Sequence, residues 1–514
     1  MSQPEFADLK NLAKEALARP LQDAFDSEAG RLERLSVDAA GIHFDLSKTH
    51  LDADVVEGFL SAARAMDFEG WRARLFAGDV VNPTENRAAS HPAERGSGNS
   101  ALISAANEAR ERMKAVYDRV ASGDFGPVDR IVHIGIGGSF LGPRLLADAL
   151  PPAGPVADVR FVGNIDGVAL ERALLGADPA RTLAVVVSKS ATTLETMTNA
   201  ESLFDWMRAG GVEPGARTIA VSANPDKTAA LGIPDDNVFS FADTVGGRYS
   251  LWTGVSLAAV LRTGWDAYEA MLHGAAKMDR HFAEAPLIEN APFMASCYDL
   301  LYTVFGSAQS RAIFAYDERL RLLPDFLQQL ETESNGKRVT RDGAEVRLDT
   351  SPVVWGGVGT DAQHSVFQLM HQGTRQIAAE FVAVAESGHE LGGTHHKQLL
   401  SNAIAQGAAL FAGRTFGQAL EETGGDEALA HAKTFPGGRP SMTTVLPRLD
   451  PETLGALISF YEHRTFSFGT MLGINSFDQM GVELGKQVAT RIAKGDMEGL
   501  DPSSRDLLGR LGVD

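Results

Sequence analysis

The stretch RIVHIGIGGSFLGP (residues 130–143) decides the fold, because an apolar β-branched run passes directly into a glycine-rich turn. A buried strand, a glycine turn and a helix start are typical of parallel α/β sheets. Free N–H groups at such a turn can receive a phosphate. Phe140 replaces the third glycine of a dinucleotide fingerprint, and Pro143 breaks a P-loop, so nicotinamide and ATP are disfavoured. The alternative is a structural connection in which Ser139 caps the helix.

Further apolar runs follow at intervals long enough for a crossover helix between strands. They are VRFVGNI (159–165), TLAVVVS (182–188), TIAVSA (218–223), RAIFAYD (311–317), PVVWGG (352–357) and QIAAEFVAV (376–384). The pattern predicts two α/β units with parallel sheets. We expect a helical segment over 1–101 that packs on the larger unit, a smaller unit over 102–265, the larger over 266–490 and a C-terminal helical arm over 491–514.

Composition excludes several classes of protein. The 514 residues carry 47 Lys and Arg against 67 Asp and Glu, a net charge of −20, without a basic run for nucleic acid. The single cysteine, Cys297, fits a reducing compartment. No apolar run approaches the ~18 residues of a membrane span, so we expect a cytoplasmic protein. GHELGGTHH (388–396) lacks the second zinc-binding histidine, since Gly393 stands there, and no metal is predicted.

Hydroxyl groups and a lysine follow the strand at 182–187. The segment SKSATTLET (188–196) places Ser188, Lys189, Ser190, Thr192 and Thr193 where parallel sheets bind ligands. These groups suit a phosphomonoester. A structural alternative is a capping box formed by Thr192 and Glu195.

Two further segments offer a cation and a carboxylate. In VGGRYS (245–250) the glycines present Arg248 as a fixed cation, although a surface turn is the alternative. In FLQQLETESNGK (326–337) Glu333 lies in the last turn of a helix, where the helix dipole disfavours an anion. Glu331, two residues away, remains an alternative to Glu333.

Histidine, glutamine and lysine side chains recur at helical spacing nearer the C-terminus. A helix over 355–374 would put His364, Gln368 and His371 on one face, where one histidine can serve as acid or base or simply belong to the core. Gln479 and Lys486 would likewise share one side of a helix, though Lys486 alone could be a surface lysine.

Taken in order, these motifs resemble the phosphoglucose isomerase family. The segments are NPTENRAASHPAERG (82–96), GIGGSFLGP (135–143), SKSATTLET, VGGRYS, ESNGK (333–337), GTDAQH (359–364) and SFDQMGVELGK (476–486). The resemblance implies two sugar-isomerase α/β sandwiches, the larger built from chain on both sides of the smaller. It also implies a homodimer with its cleft at the subunit boundary. The implied reaction is conversion of glucose 6-phosphate to fructose 6-phosphate in glycolysis and gluconeogenesis, without metal or organic cofactor.

The resemblance also implies roles for individual residues. Glu333 would be the base, Arg248 the enediolate stabiliser, and His364 with Lys486 the ring-opening pair. The implied phosphate and sugar contacts are Gly138, Ser139, Ser188, Lys189, Ser190, Thr193, Glu195, Gly247, Gln329 and Gln479. Ser190, Ala191 and Thr332 depart modestly from the family pattern. A phosphosugar-binding module without turnover and a Schiff-base enzyme of the transaldolase type are the alternatives.

Overall fold

The computed structural model describes residues 6–228 and 231–513, and its strands form a five-stranded and a six-stranded sheet. The strands are β1 Ser36–Ala39, β2 Ile42–Asp45, β3 Arg130–Ile134, β4 Asp158–Val162, β5 Thr182–Val187, β6 Thr218–Val221, β7 Val238–Phe239, β8 Ser310–Tyr316, β9 Val353–Val358, β10 Ala378–Val384 and β11 Ser441–Leu446.

Helices cover both sheets and form most of the two ends of the chain. They are α1 Ala7–Ala18, α2 Leu21–Asp26, α3 Arg31–Arg34, α4 Ala53–Ala65, α5 Phe68–Ala77, α6 His91–Glu94, α7 Ser100–Ser122, α8 Leu141–Ala149, α9 Gly167–Leu174, α10 Leu194–Ala209, α11 Pro225–Thr228, α12 Leu257–Thr263, α13 Trp265–Glu284, α14 Ala291–Leu300, α15 Leu323–Asn335, α16 Gly359–Gln363, α17 Phe367–Gln372, α18 Gly393–Ala412, α19 Phe416–Glu422, α20 Glu427–Ala432, α21 Pro451–Met471, α22 Glu483–Ala493 and α23 Pro502–Leu511.

The first sheet has the order β4-β3-β5-β6-β7, and all of its pairs are parallel. Its central strand β5 is buried at every position, as expected of a strand covered on both faces. The four predicted apolar runs of this unit form β3 to β6, which confirms the parallel α/β prediction. The two-residue strand β7 was not predicted, because it is too short to show a pattern.

The second sheet has the order β1-β2-β11-β10-β8-β9. Strands β8 to β11 are parallel, whereas β1 and β2 form a hairpin that adds antiparallel to β11. The hairpin lies in the segment predicted as helical, and β11 was also missed because threonines interrupt its apolar run. The sheet therefore combines chain from before and after the first sheet. The predicted domain boundaries stay a prediction.

Helix α21 runs through the core and is buried at every residue from Thr453 to Met471. It carries charged residues whose burial requires partners. Arg464 donates from Nε to Asp299 Oδ2 at 2.7 Å and from Nη1 to Glu380 Oε2 at 2.8 Å. Arg311 donates to the same Asp299 at 2.8 Å, so two guanidiniums share this buried carboxylate.

Two predicted helices are interrupted in the structure. Helix α16 ends at Gln363 and α17 begins at Phe367, so His364, Gln368 and His371 do not share one continuous helical face. Gln479 lies before a short 3₁₀ turn at Met480–Val482, and only Lys486 lies on α22. Both predictions of a shared helical face are therefore wrong, because each assumed that one helix continued through the segment.

Across the two described ranges, no helix combines the length and apolar character that crossing a bilayer demands.

Candidate active site

Two glycine-rich turns pack against each other backbone to backbone. They are the 3₁₀ turns Gly137–Ser139, after β3, and Gly247–Trp252. A Cβ atom added at Gly138 would lie 2.0 Å from the carbonyl oxygen of Gly247, so only glycine permits this approach. Phe140, without a side-chain cap, precedes α8. The alternative in which Ser139 caps that helix is therefore wrong.

A buried histidine that sequence reasoning missed supports the first turn. His133 on β3 has Nε2 2.7 Å from the carbonyl oxygen of Ser139. Burial lowers the pKa of His133 to about 4, although the hydrogen bond to Ser139 acts to raise it. The imidazole is therefore neutral at pH 7 and donates to the carbonyl. Its position inside an apolar strand is the only signal in the sequence.

Arg248 is a buried cation that four hydrogen bonds hold in place. Its Nε donates to Ser334 Oγ at 2.6 Å, and its Nη1 donates to Gln479 Oε1 at 2.9 Å. Its Nη2 donates to the carbonyl oxygens of Ser476 at 2.8 Å and Asp478 at 3.0 Å. The surface-turn alternative for this segment is therefore wrong, because the side chain is 1% exposed.

The carboxylate that faces Arg248 is Glu333. Its Oε1 lies 3.7 Å from Arg248 Nη1, and its side chain is 21% exposed, which leaves it open to a ligand. Glu331 instead points into the core and forms a buried ion pair with Arg311. Burial raises the pKa of Glu331, although Arg311 opposes the shift. The structure thus brings Glu333, and not Glu331, to the cation.

The segment after β5 gathers hydroxyl groups at the start of α10. Ser188 Oγ and Thr193 Oγ1 are 3.2 Å apart, and the Thr192 hydroxyl donates to Ser190 Oγ at 2.9 Å. Thr193 is the N-cap residue of α10 and makes no side-chain cap, so the capping box of Thr192 with Glu195 is absent here. Glu195 lies half-buried in the first turn.

Lys189 points away from these hydroxyls. Its ammonium donates to the carbonyl oxygens of Asp243 at 2.7 Å and Val245 at 3.1 Å, and it pairs with the Asp243 carboxylate at 3.2 Å. The side chain thus ties the hydroxyl segment to the turn that carries Arg248. Its phosphate-binding role stays a prediction.

Gln329 lies about one helical turn before Glu333 on α15 and reaches the first glycine turn. A Cβ atom at Gly137, whose φ is +58°, would lie 2.9 Å from Gln329 Nε2. The last turns of α15 therefore bring Gln329 and Glu333 beside both glycine turns.

His364 and Lys486 lie outside this cluster. Helix α15 is the crossover between the parallel strands β8 and β9, so Glu333 near its end lies at the edge where β9 begins. His364 follows the opposite end of β9, and the six residues of that strand span roughly 20 Å. His364 is exposed, and Lys486, 62% exposed, pairs with Glu483 at 3.0 Å.

The predicted motif at 82–96 supports the loop that holds Arg248. The Thr84 hydroxyl donates to Asp478 Oδ2 at 2.6 Å, and Asn475 Nδ2 donates to Asn82 Oδ1 at 2.9 Å. The His91 ring stacks on Tyr249 with a centroid distance of 4.6 Å. The two hydrogen bonds join segments nearly 400 positions apart, and nothing local in the sequence reveals them.

No group of three or more His, Cys, Asp or Glu side chains in the described ranges is arranged to hold a metal ion. The polar groups of the cluster are an arginine, a carboxylate, amides and hydroxyls. Such a set can exchange protons and bind an anionic ligand.

Comparison with known proteins identifies the family of this chain. The family model of phosphoglucose isomerase matches residues 45–507. A glucose-6-phosphate isomerase of Rhizorhabdus wittichii is 50% identical over 97% of this chain and 98% of its own length. One from Zymomonas mobilis is 48% identical over 95% of each chain. A solved glucose-6-phosphate isomerase of Chlamydia trachomatis superimposes with a TM-score of 0.86 at 28% identity, covering 100% of this chain and 99% of that one. The chain therefore belongs to the phosphoglucose isomerase family.

Proposed function

We propose that the protein interconverts glucose 6-phosphate and fructose 6-phosphate through an enediolate. The observation that carries this proposal is the open carboxylate of Glu333 set 3.7 Å from the buried, fixed guanidinium of Arg248. Moving a proton between C2 and C1 of an open-chain sugar needs one carboxylate base near both carbons. It also needs a cation for the oxygen on which negative charge develops. A module that only bound phosphosugars would need neither.

Each residue has one chemical task in this reaction. Glu333 takes the proton from C2 and returns it to C1, so no other base is required. Because the Arg248 guanidinium is already held by four acceptors, it needs no reorganisation when the enediolate forms. The amides of Gln329 and Gln479 lie beside the two groups and are placed to bind sugar hydroxyls.

The phosphate group would bind between the two segments that follow β3 and β5. Its proposed ligands are the hydroxyls of Ser139, Ser188, Ser190 and Thr193 with N–H groups of both turns. A dianion approaching a protein of net charge −20 needs a local positive field. We assign that field to Arg248 and to the helix N-termini, with Lys189 bound to Asp243 as a minor contributor.

The catalytic unit we propose is a homodimer in which the cleft lies at the subunit boundary. Helices α22 and α23 have no buried residue, and Leu391, just before α18, and Ile404, on α18, are 75% and 61% exposed. These surfaces suit a second copy of the chain. Because His364 lies far from Glu333 in one chain, ring opening would use His364 of the partner subunit. Lys486, on the exposed helix α22, would complete the ring-opening pair.

Purified protein is expected to convert fructose 6-phosphate to glucose 6-phosphate, detected by a coupled dehydrogenase. Dialysis against EDTA should change the rate little, since the proposed charge stabilisation comes from Arg248. Loss of activity that zinc or magnesium restores would contradict the metal-free mechanism. Absence of turnover by folded protein would contradict the proposed function.

We further propose a cytoplasmic location, which the buried, unpaired Cys297 supports.

Mixing two impaired variants tests the shared site. If each site takes Glu333 from one subunit and His364 from the other, a Glu333→Gln/His364→Ala heterodimer has one intact and one doubly altered site. Random reassortment of equal amounts should then recover about a quarter of wild-type activity. Size-exclusion chromatography with light scattering measures the dimer. If the protein is a dimer but the mixture shows only the mean activity of the two variants, each site lies within one chain.

A further inference from the structure

We propose that Lys337 is a positioning residue that fastens the end of α15, with Glu333, to the loop that holds Arg248. This inference rests on the proposed function. The Lys337 ammonium donates to the carbonyl oxygens of Glu333 at 2.8 Å, Ser334 at 3.0 Å and Asp478 at 2.8 Å. It also lies 3.2 Å from the Asp478 carboxylate. One side chain thus joins two segments 141 positions apart.

The end of α15 requires such a group. The last carbonyls of a helix lack intrahelical partners and carry the negative end of the helix dipole. Glu333 adds a full negative charge at the same place, which that dipole disfavours. Lys337, just after the helix, satisfies two of these carbonyls and supplies the opposing charge. The end of the helix, and with it Glu333, is therefore fixed where the proposed chemistry needs it.

The Lys337 ammonium also helps to position the Arg248 guanidinium. The carbonyl oxygen of Asp478 accepts from Lys337 and from Arg248 Nη2 at 3.0 Å. Glu333 and Arg248 thus have a common anchor, and the 3.7 Å between them depends on it. A reacting geometry that drifts by an ångström can lose about 100-fold in rate. Losing Lys337 should therefore harm the chemical step more than substrate binding.

The charge on Lys337 changes near neutral pH. Burial lowers its pKa to about 8, with Arg248 acting in the same direction and Asp478 and Glu333 opposing. The ammonium is therefore charged below about pH 8 and loses its proton above it. In the free enzyme the anchor weakens as pH rises through that value. Since kcat/KM reports groups of the free enzyme, it should fall on the alkaline side near pH 8.

Two variants test the proposal against fructose 6-phosphate. Lys337→Met keeps the stem and removes the donors, and it should lower kcat by roughly 10- to 100-fold while KM changes less than about threefold. Lys337→Arg stays charged throughout, so it should retain more activity and move the alkaline limb of kcat/KM to higher pH. Lys277→Met is the matched control, because Lys277 pairs with Glu452 far from this site.

Results that contradict this proposal differ from those that contradict the proposed function. If Lys337→Met keeps wild-type kcat, or if the alkaline limb stays in place in Lys337→Arg, Lys337 does not position the pair. A lower melting temperature with unchanged kinetics would mean a purely structural role and would also overturn the proposal. If Lys337→Met does not fold, the pH profile of Lys337→Arg decides alone. Wild-type protein without isomerase activity would instead contradict the proposed function.

Discussion

Glu333→Gln is expected to lower kcat for fructose 6-phosphate by roughly 10²- to 10⁴-fold, with KM within about threefold of wild type. The amide keeps the size of the side chain and leaves the contacts around Arg248 in place. It cannot accept a proton from carbon, so only the chemical step is lost. Exchange of the C2 hydrogen of glucose 6-phosphate with solvent deuterium measures proton abstraction directly, and it should be lost in parallel.

The control for this variant must not disturb the core. Glu331→Gln is unsuitable, because Glu331 forms a buried ion pair with Arg311 and the loss of its charge would disturb the charge balance of the core. Asp325→Asn is better matched, since Asp325 is an exposed carboxylate in the first turn of the same helix. It should keep wild-type turnover. Persistent deuterium exchange in folded Glu333→Gln would show that another group is the base.

The second large effect concerns stability. Arg464→Met should lower the free energy of unfolding by about 3–5 kcal/mol at pH 7, because it removes one of the two guanidiniums that neutralise the buried carboxylates of Asp299 and Glu380. Urea unfolding followed by circular dichroism measures the loss. Arg208→Met is the matched control, since Arg208 pairs with Asp205 at the surface, and it should change stability by less than about 0.5 kcal/mol.

The loss should also depend on pH. Burial acts to raise the pKa of Asp299, but Arg311 and Arg464 outweigh it and hold that pKa below its ordinary value. This stabilisation is present above the unfolded pKa near 3.9 and is lost as pH falls below it. In Arg464→Met the Asp299 carboxylate keeps only the Arg311 guanidinium and takes up a proton more readily. The difference between variant and wild type should therefore shrink toward pH 4, and a constant difference would contradict an ionic origin.

The elements that the sequence predicts correctly are those that a short-range pattern determines. Strands β3, β5 and β8 were predicted from β-branched runs bounded by glycine or charge, and these runs reflect burial on both faces. The hairpin of β1 and β2 was not predicted, because each strand has only four residues and the hairpin is stabilised by its pairing with β11. Local pattern carries no information about a partner strand so far along the chain.

In the candidate site, too, local features were predicted and tertiary contacts were not. The glycines and the Glu333 segment were predicted from local rules of turns and helix ends. The choice between Glu331 and Glu333 was not, because it depends on Arg311, which lies on a strand twenty positions earlier. The break after His364 was also missed, since its sequence continues an amphipathic pattern. Charge pairing in the core and chain reversal are tertiary properties that periodicity does not reveal.

The pairing of β2 with β11 has a consequence for how the chain is made. His43 lies opposite Val445, and about 400 residues must be synthesised between them. At ribosomal speeds this takes roughly 20–80 s, during which all strands of the first sheet emerge and can fold. Until β11 is made, β2 has an unpaired edge, and an unpaired edge can pair with another chain and cause aggregation. A chain that stops before Ser441 thus has a complete first sheet, whereas β2 and β10 both lack the strand that would pair with them.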